Sequence, residues 1–328
     1  MVKFLIKRLF YIVLVLFIVS IFLFAIFRSM PVSPVDIFME GRAVDMDHAS
    51  YMAMRERLYA ELGLDRPMPV QFFIWIGQIF RGEFGYSMTH RVSVMDAIRI
   101  PMASTILMNI LNLILVFAIT IPVGVYAAIK RGKLFDNGAL FASLIGFSFP
   151  GFLFGILMIL IFAVFLNWLP TGGMASPIPI EPWTWEWIAD RARYMILPLL
   201  TLVLMSTATL MRIVRSSMID SLTMDFVRTA RAKGLAEKVV IFSHAFRNAL
   251  IPIITVMTGW FIGIFSGTVV IERTFNWNGM GDVMMSALTQ SDLAILKAVN
   301  LFYALIAFIA LLAMDIVYTI VDPRIRFD

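Results

Sequence analysis

The sequence predicts an all-α protein that crosses a membrane several times. Of its 328 residues, 60% are hydrophobic and only 15% are charged, whereas soluble domains average about a quarter charged residues. Long apolar stretches recur along the chain, and a helix needs roughly 20 mostly apolar residues to cross the hydrocarbon core. We therefore expect a polytopic membrane protein with six transmembrane helices.

The six predicted spans are separated by polar segments of unequal length. They comprise residues 9–27, 102–129, 138–166, 194–214, 249–271 and 298–321. The first apolar run is long and no small-residue cleavage site follows it, so we interpret it as an uncleaved anchor. The predicted organisation is an N-terminal anchor at residues 1–27, an outer segment at 28–100 and a core of five spans at 101–328.

The lysines set the expected orientation, because short cytoplasmic loops are enriched in lysine and arginine. With both termini placed in the cytoplasm, every lysine except Lys297 lies inside. The formal net charge of +5 then reflects orientation in a lipid bilayer and indicates no nucleic-acid partner.

The segment between the first two spans is too polar to cross a membrane and too long for a simple turn. Residues 50–62 have helical spacing and are followed by Gly63, which can stop a helix. Residues 71–80 are apolar and aromatic, as expected of a helix in the membrane interface. We therefore expect structure of its own on the outer side.

A basic stretch between the fourth and fifth spans, within residues 223–252, is the most distinctive part of the sequence. Thr223 is a candidate N-cap for a short helix, with Asp225 in its first turn. Lys233 is expected in the last turn, and Gly234 is expected to end the helix in the left-handed conformation. A second helix follows, apolar on two sides, with Leu235 on one stripe and Val240 and Ile241 on the other.

Arg228-Thr229-Ala230, Gly234 and the sequence Asn-Ala-Leu-Ile-Pro at 248–252 resemble the cytoplasmic EAA loop of ABC importer permeases. The closest resemblance is to the dipeptide and oligopeptide permeases. The general signature has an acidic residue in place of Arg228 and an alanine in place of Thr229, and its glycine-to-proline spacing is shorter. These departures are typical of the peptide subfamily. An ordinary positively charged loop is the alternative interpretation.

The resemblance implies that this loop docks on an ATPase subunit. The residues expected to carry the contact are Arg228, Thr229, Ala230, Arg231, Lys233, Gly234 and Leu235. Further stretches at 62–72, 81–87, 168–173, 275–281 and 321–326 are similar to the same family. The loop entry at 30–34 and the dipeptide Asn278-Gly279 depart from the family's usual Pro-Gly-Asp-Pro and Pro-Gly.

The resemblance also implies partners and a location. Members pair two homologous permease subunits with two ATPase subunits and an extracytoplasmic substrate-binding protein in the bacterial inner membrane. Peptides are the expected solute, with nickel complexes, opines or oligosaccharides as alternatives. ATP and magnesium are expected on the partner subunits, because this sequence contains no phosphate-binding loop of the GxxxxGK[ST] type.

Polar and small residues within the spans are open to more than one interpretation. Asn109 and Asn112 share a helical face, which favours interhelical hydrogen bonds or a polar translocation path. Gly259 and Gly263, with Gly267 four residues further on, suggest close packing against another helix. Asp315, near the inner end of the last span, is expected to pair with Arg324 or water.

Several other function classes receive no support. The absence of cysteine excludes disulfides and thiolate catalysis, and no HExxH spacing indicates a metal-dependent enzyme. An ion-coupled secondary transporter would be expected to carry ionisable residues near mid-bilayer and internal repeats. A purely structural membrane subunit does not explain the docking loop. We therefore expect a transport subunit without enzymatic activity of its own.

Overall fold

The computed structural model describes residues 2–29, 34–39, 46–61, 63–87 and 89–321. The chain divides into two compact units. The first comprises Met1–Met102 and Val283–Ile309, and the second comprises Ala103–Asp282 and Ala310–Phe327. Each is described by itself below.

The first unit contains the N-terminal helices and a small hairpin. Its elements are α1 (Val2–Arg28), α2 (Pro34–Met39), α3 (His48–Glu61), α4 (Met68–Phe80), β1 (Tyr86–Ser87), β2 (Val92–Ser93), the start of α5 (Val94–Ile129), and, from residue 283, most of α13 and α14 as bounded below. The strands pair antiparallel, with Tyr86 opposite Ser93.

The second unit carries the longest helix and the predicted docking loop. Its elements are the rest of α5, then α6 (Leu134–Ser148), α7 (Gly151–Met158) with a π-helical continuation (Ile159–Phe165), α8 (Trp185–Thr223), α9 (Asp225–Ala232), α10 (Glu237–Val239) with a π-helical continuation (Val240–Phe246), α11 (Arg247–Gly263) and α12 (Val269–Thr274). Two further helices, α13 (Met280–Thr289) and α14 (Leu293–Val321), complete the chain.

The spans confirm the predicted membrane class. Five described helices are long and apolar enough to cross a bilayer, and α6 with α7 and its π continuation makes a sixth if this pair, bent by 101°, counts as one span. The bend lies at Phe149 and Pro150, between α6 and α7. The proline lacks an N–H and cannot continue the helix, so the third span is broken rather than merely bent.

The predicted ends of several spans are wrong. The second span extends back to Val94 and the fourth runs over Trp185–Thr223, because polar residues at their ends continue the helix beyond the apolar stretch. The predicted division at residues 100 and 101 therefore falls inside α5. The fifth span ends at Gly263 instead of residue 271, and the next residues turn before α12 begins.

The outer segment has the expected helices and two unexpected elements. Helix α3 ends near Gly63, whose φ of +63° is left-handed as predicted. Helix α4 packs on α1, with the Phe24 and Phe72 ring centroids 5.6 Å apart. The short helix α2 and the hairpin were not predicted. Arg55 of α3 donates from Nε to Asp36 of α2 at 2.9 Å. Val35 and Met39 of α2 are fully buried, so packing as well as this pair holds so short a helix.

Helix α8 organises the second unit and packs against α6, α7 and α11. Its apolar residues share two buried clusters with the helices around it. The first cluster includes Val214 and Met218, both fully buried, together with Val227 of α9 and Ile253 of α11. The C-terminal end of α8 and the predicted docking loop therefore belong to one packed core.

Pro252 of the fifth span lies inside α11, because the helix already begins at Arg247 and follows the π-helical segment directly. Within the part of the chain described, nothing lies within 4 Å of a Cβ built at Gly259 or Gly263. These two glycines therefore make no close contact with the described residues, and their packing against another helix stays a prediction.

Some expectations lie outside the described residues. The side chain of Asp315 is not described, nor is any part of Arg324. The same holds for the loop entry at residues 30–33 and for the terminal stretch from residue 322 onward.

Candidate functional site: the coupling loop

Helix α9 begins differently from the prediction. Its N-cap is Met224, in extended backbone geometry, and no side chain caps the helix. Thr223 is the last residue of α8, and its hydroxyl donates to the carbonyl of Asp220 at 2.8 Å. The prediction of Thr223 as N-cap is therefore wrong, because the preceding helix continues to this residue and takes its hydroxyl.

The end of α9 confirms the prediction for Gly234. Its φ is +74°, a region that glycine enters at no steric cost. The Gly234 N–H donates to the Arg231 carbonyl at 2.9 Å, and the Leu235 N–H donates to the Ala230 carbonyl at 3.4 Å. This pair of bonds is the Schellman motif, with Lys233 as the C-cap. The turn fixes the direction in which the chain leaves α9.

The inner face of α9 anchors the helix to the core. Val227 is fully buried and Ala230 is 4% exposed, in the cluster that also holds Val240 and Ala245. Ala230 was predicted as a docking residue, and this assignment needs correction. Its position one turn after Val227 places it on the packed side, so it can support a contact with a partner but cannot make one in this conformation.

The outer face of α9 and its turn carries the other predicted docking residues. Arg228, Thr229, Arg231, Lys233 and Leu235 are all exposed. The Arg228 side chain is 74% exposed and lies 3.6 Å from the Asp225 carboxylate, so its charge remains available to a partner. The structure thus leaves the predicted cations of α9 and its turn exposed.

Arg231 differs from the other cations because it makes an intramolecular ion pair. Its Nη2 donates to Glu237 Oε1 at 2.7 Å, and its Nε donates to Oε2 at 3.2 Å. This two-point pair spans the Gly234 turn and connects α9 with α10. Since both side chains are about half exposed, the pair contributes little to global stability, and its effect is on the geometry of the turn.

An apolar patch lies beside these cations. Leu235 is 41%, Val239 42% and Phe242 52% exposed, whereas Val240 and Ile241 on the opposite side are buried. The two apolar sides predicted for this helix are therefore confirmed, but only one of them has a partner within the described chain. We give the name docking surface to the exposed cations that have no intramolecular two-point pair together with this patch; its members are Arg228, Lys233, Leu235, Val239 and Phe242.

The predicted pair of asparagines has one bonded and one unbonded member. The Asn109 side-chain amide donates to the carbonyls of Gly263, Ile264 and Ser266, at 3.2, 2.9 and 3.3 Å. It thereby bonds to carbonyls at and just after the end of α11. The Asn112 carbonyl oxygen is buried and has no hydrogen-bond partner among the described residues. A translocation path along this face stays a prediction.

One buried carboxylate was missed by sequence reasoning. Glu272 of α12 is 3% exposed, and its Oε2 accepts from the Asp282 N–H at 2.8 Å. Thr105 donates to Oε1 at 3.3 Å. Burial raises the pKa of Glu272, and the hydrogen bonds from Asp282, Thr105 and the Gly281 N–H oppose that rise.

Glycines explain how the chain closes so tightly around this carboxylate. A Cβ at Gly267 or Gly279 would collide with the Glu272 side chain. The glycine-rich loop at 275–281 and the Thr-Gly-Gly sequence at 171–173 also meet here, since the Gly173 N–H donates to the Phe275 carbonyl at 2.8 Å. The signal in the sequence that could have indicated this site is the spacing of the glycines on both sides of Glu272. The residues around Glu272 show no helical or strand pattern of their own.

Comparison with known proteins places this geometry in a family. The family described as "Binding-protein-dependent transport system inner membrane component" matches residues 120–327. A second family, described as "Binding-prot-dependent transport system membrane comp, N-term", matches residues 1–109.

Individual relatives are similar along nearly the whole chain. The oligopeptide transport system permease protein AppB of Bacillus subtilis (strain 168) is 35% identical over 311 residues, covering 94% of each chain. The glutathione transport system permease protein GsiC of Escherichia coli (strain K12) is 33% identical over 327 residues, covering 100% of each.

A solved structure supports the fold. Inward-facing MetNI, a methionine ABC transporter, has a chain that superposes with a TM-score of 0.51 at 15% identity, covering 70% of this chain and 97% of its own. The family matches and the relatives agree with the helical membrane fold. The chain therefore belongs to the inner membrane components of binding-protein-dependent transport systems, the permease subunits of ABC importers.

Proposed function

We propose that this chain forms, with a second permease subunit, the translocation path for peptides in a bacterial inner-membrane importer. An extracytoplasmic binding protein delivers the solute, and two separate ATPase subunits drive the cycle. The observation that carries the proposal is the docking surface, where exposed cations and apolar side chains lie on a helix whose other face is fixed in the core.

The peptide assignment follows the names of the relatives. AppB belongs to an oligopeptide system and GsiC to a glutathione system. These names favour peptides over nickel complexes, opines or oligosaccharides. They also agree with the departures from the general EAA signature at Arg228 and Thr229, which are typical of the peptide subfamily.

The packing of α9 supports a coupling role. Val227 and Ala230 share a cluster with Val214 and Met218 of α8 and with Ile253 of α11. Because close-packed interiors transmit displacement, a shift of α9 by an ATPase would move the inner ends of both helices. The ATP-bound ATPase dimer must then bind the outward-facing arrangement more tightly than the inward-facing one, since a partner with equal affinity for both shifts nothing.

The proposal places ATP and magnesium on the partner subunits. This chain supplies the docking helix and the membrane path, and its sequence holds no phosphate-binding loop. The family consists of permease subunits that work with separate ATPases, and we assign hydrolysis to those partners.

Charge reversal on the docking surface tests the contact. Arg228→Glu replaces an exposed cation that has only a loose partner, 3.6 Å away, so the fold should be unaffected. Expressed with its partners at low ionic strength, this variant should retain at least tenfold less ATPase subunit on purification. The difference from wild type should shrink as ionic strength rises, because salt screens the interaction of rim charges.

A matched variant separates docking from folding. Arg191→Glu reverses a partly exposed cation on α8 outside the docking surface, where the guanidinium stacks on Trp187 at 3.9 Å. It should keep wild-type amounts of ATPase subunit. Equal retention by wild type and Arg228→Glu, with equal peptide-stimulated ATP hydrolysis, would contradict the assigned docking surface.

A further inference from the structure

A pocket of about 200 Å³ lies within the first unit, outside the docking surface and the asparagine face. Helices α1 and α4, the hairpin and the start of α14 surround it. Its walls are largely apolar and aromatic, with Phe24, Leu64, Ile74 and Trp75 among the lining residues. Two cations, Arg28 and Lys297, also line it.

The two cations have few partners in the described part of the chain. The Arg28 Nε is buried without a hydrogen-bond partner there, and its Nη2 makes one long bond of 3.5 Å to the Leu64 carbonyl. The Lys297 ammonium lies 6.0 Å from the centre of the Phe24 ring. A buried guanidinium nitrogen without an acceptor is costly, so an acceptor from outside the chain would stabilise it.

The acidic residue among the described lining residues is already engaged. Asp292 is 3% exposed, and its Oδ2 accepts from the Ser87 hydroxyl at 2.6 Å and the Thr89 N–H at 3.2 Å. Its Oδ1 accepts from the Ile295 N–H at 3.3 Å, at the start of α14. Asp292 thus caps a helix and holds the hairpin, and the positive charges of Arg28 and Lys297 are left for another anion.

The size of the pocket restricts that anion. Pockets for drug-sized molecules measure about 300–1,000 Å³, so a space of about 200 Å³ suits a small headgroup better than a peptide. A guanidinium and an ammonium that approach from two helices offer donors to several oxygens at once, which matches the tetrahedral arrangement of a phosphate.

The position of the pocket favours a phosphate at a membrane surface. Arg28 is the last residue of α1, and the apolar side chains before it are exposed, with Phe22 at 64% and Ile26 at 57%. On a membrane-spanning helix such a surface lies against lipid tails, and a terminal arginine extends toward the headgroups. Basic pockets beside transmembrane helices are suited to phosphate headgroups.

We propose that Arg28 and Lys297 bind a phosphate group in this pocket, carried by an anionic phospholipid or as free phosphate. Phe24 and Trp75 form the apolar wall beside it. The bound phosphate neutralises two cations that come from opposite ends of the sequence and thereby joins α1 to α14.

Native mass spectrometry of the permease purified with its partner subunits tests the lipid source. Dioleoylphosphatidylglycerol is the probe, and dioleoylglycerol, which lacks the phosphate, is the comparison lipid. Wild type should retain phosphatidylglycerol in preference to dioleoylglycerol. Each of Arg28→Gln and Lys297→Gln should weaken retention about tenfold, since each removes one charge-assisted contact.

Thermal unfolding of the same complex tests the free anion. Millimolar inorganic phosphate, compared with chloride at equal ionic strength, should raise the Tm of wild type if free phosphate is the ligand, and should not raise that of Arg28→Gln/Lys297→Gln. Retained phosphatidylglycerol without a phosphate effect identifies the lipid headgroup. Either result supports the pocket.

Arg81→Gln is the matched control, because Arg81 is an exposed cation at the end of α4 that does not line the pocket. It should behave as wild type in both measurements. If the double variant does not assemble, Arg28→Lys serves in its place. This substitution keeps the positive charge and removes the planar donors of the guanidinium, so retention of phosphatidylglycerol should fall several-fold. The proposal would be overturned if wild type bound neither probe. It would also be overturned if Arg28→Lys bound both probes as well as wild type and Arg81→Gln do.

Discussion

Arg215 of α8 and Asp136 of α6 form a two-point ion pair inside the second unit. The Arg215 Nη2 donates to Asp136 Oδ2 at 2.7 Å, and its Nε donates to Oδ1. The Asp136 side chain is 1% exposed and that of Arg215 is 18% exposed. The Gly132 N–H also donates to Oδ2 at 2.8 Å. The pair joins the turn before the third span to the inner half of the fourth.

Removal of the Asp136 charge should destabilise the permease. Asp136→Asn leaves the mostly buried Arg215 charge without its partner, and a broken buried pair costs about 3 kcal/mol. Chemical denaturation in detergent should show a loss of that order in the free energy of unfolding. Arg215→Gln in the same chain removes the stranded charge, so the double variant should lose less than the sum of the single losses.

Arg212→Gln provides the control for this cycle. Arg212 lies one turn from Arg215 and stacks over Phe147 at 4.7 Å, so its loss should cost only about 0.5–1 kcal/mol. Additive effects of Asp136→Asn and Arg215→Gln would mean that the two residues do not interact in the folded protein.

Glu272 should make stability depend on pH. Its pKa is raised by burial above the ordinary value of 4.5, so the folded state binds the proton more tightly than the unfolded state. Between the two pKa values the folded state holds more protons, and stability therefore falls as pH rises through that window. Wild type should lose stability as pH increases from about 4.5, and Glu272→Gln should remove that part of the slope.

The measurement is the denaturation midpoint of the complex across the acidic range. Glu186→Gln is the control, because Glu186 lies exposed at the start of α8. It should leave the slope of wild type unchanged. A Glu272→Gln protein whose stability follows pH in the same way as wild type would show that Glu272 titrates alike in the folded and unfolded states.

The sequence predicted those features that depend on local chemistry. Apolar length located the spans, and the left-handed preference of glycine located the turn at Gly234. Contacts between segments far apart in the chain could not be predicted from the sequence. Nothing in the sequence around Asp136 indicates a partner 79 residues away. Glu272 lies in a six-residue helix whose surroundings come from α5, the turn at Gly267 and residues 279–282.

The errors in the predicted site have the same origin. Thr223 has the residue type of an N-cap, but whether α8 ends before it depends on packing along 39 residues of helix. Ala230 was grouped with its exposed neighbours because it is adjacent to them in the sequence motif, and adjacency does not show which face of the helix a residue occupies. The helical period places it beside Val227 on the inner face, and burial on that side depends on where the core lies.

Cysteine labelling should establish the orientation, which the lysine asymmetry predicts. The chain contains no cysteine, so single substitutions give an unambiguous signal. Thr289→Cys and Ser243→Cys both place the thiol at an exposed position. In intact cells an impermeant maleimide should label position 289 and leave position 243 unlabelled until the membrane is opened. Labelling of position 243 in intact cells would reverse the orientation.

The turn at Gly234 should control assembly through backbone conformation alone. No described residue lies within 4 Å of a Cβ built there, so a side chain meets no steric obstacle. The φ of +74° still costs a residue with a Cβ roughly 1 kcal/mol, and more if it is β-branched. Gly234→Val should therefore change the turn, break the Leu235 to Ala230 hydrogen bond and reorient the docking surface.

A graded series separates this effect from misfolding. Asparagine enters the left-handed region more readily than other residues with a Cβ, so Gly234→Asn should bind ATPase subunits almost as wild type does. Gly234→Ala should be intermediate and Gly234→Val weakest, whereas all three should insert and purify in equal amounts, since the turn lies outside the spans. The measurement is the ratio of ATPase subunit to permease after purification, together with peptide transport. If Gly234→Val holds its ATPases as wild type does, the direction of the chain after α9 does not determine docking.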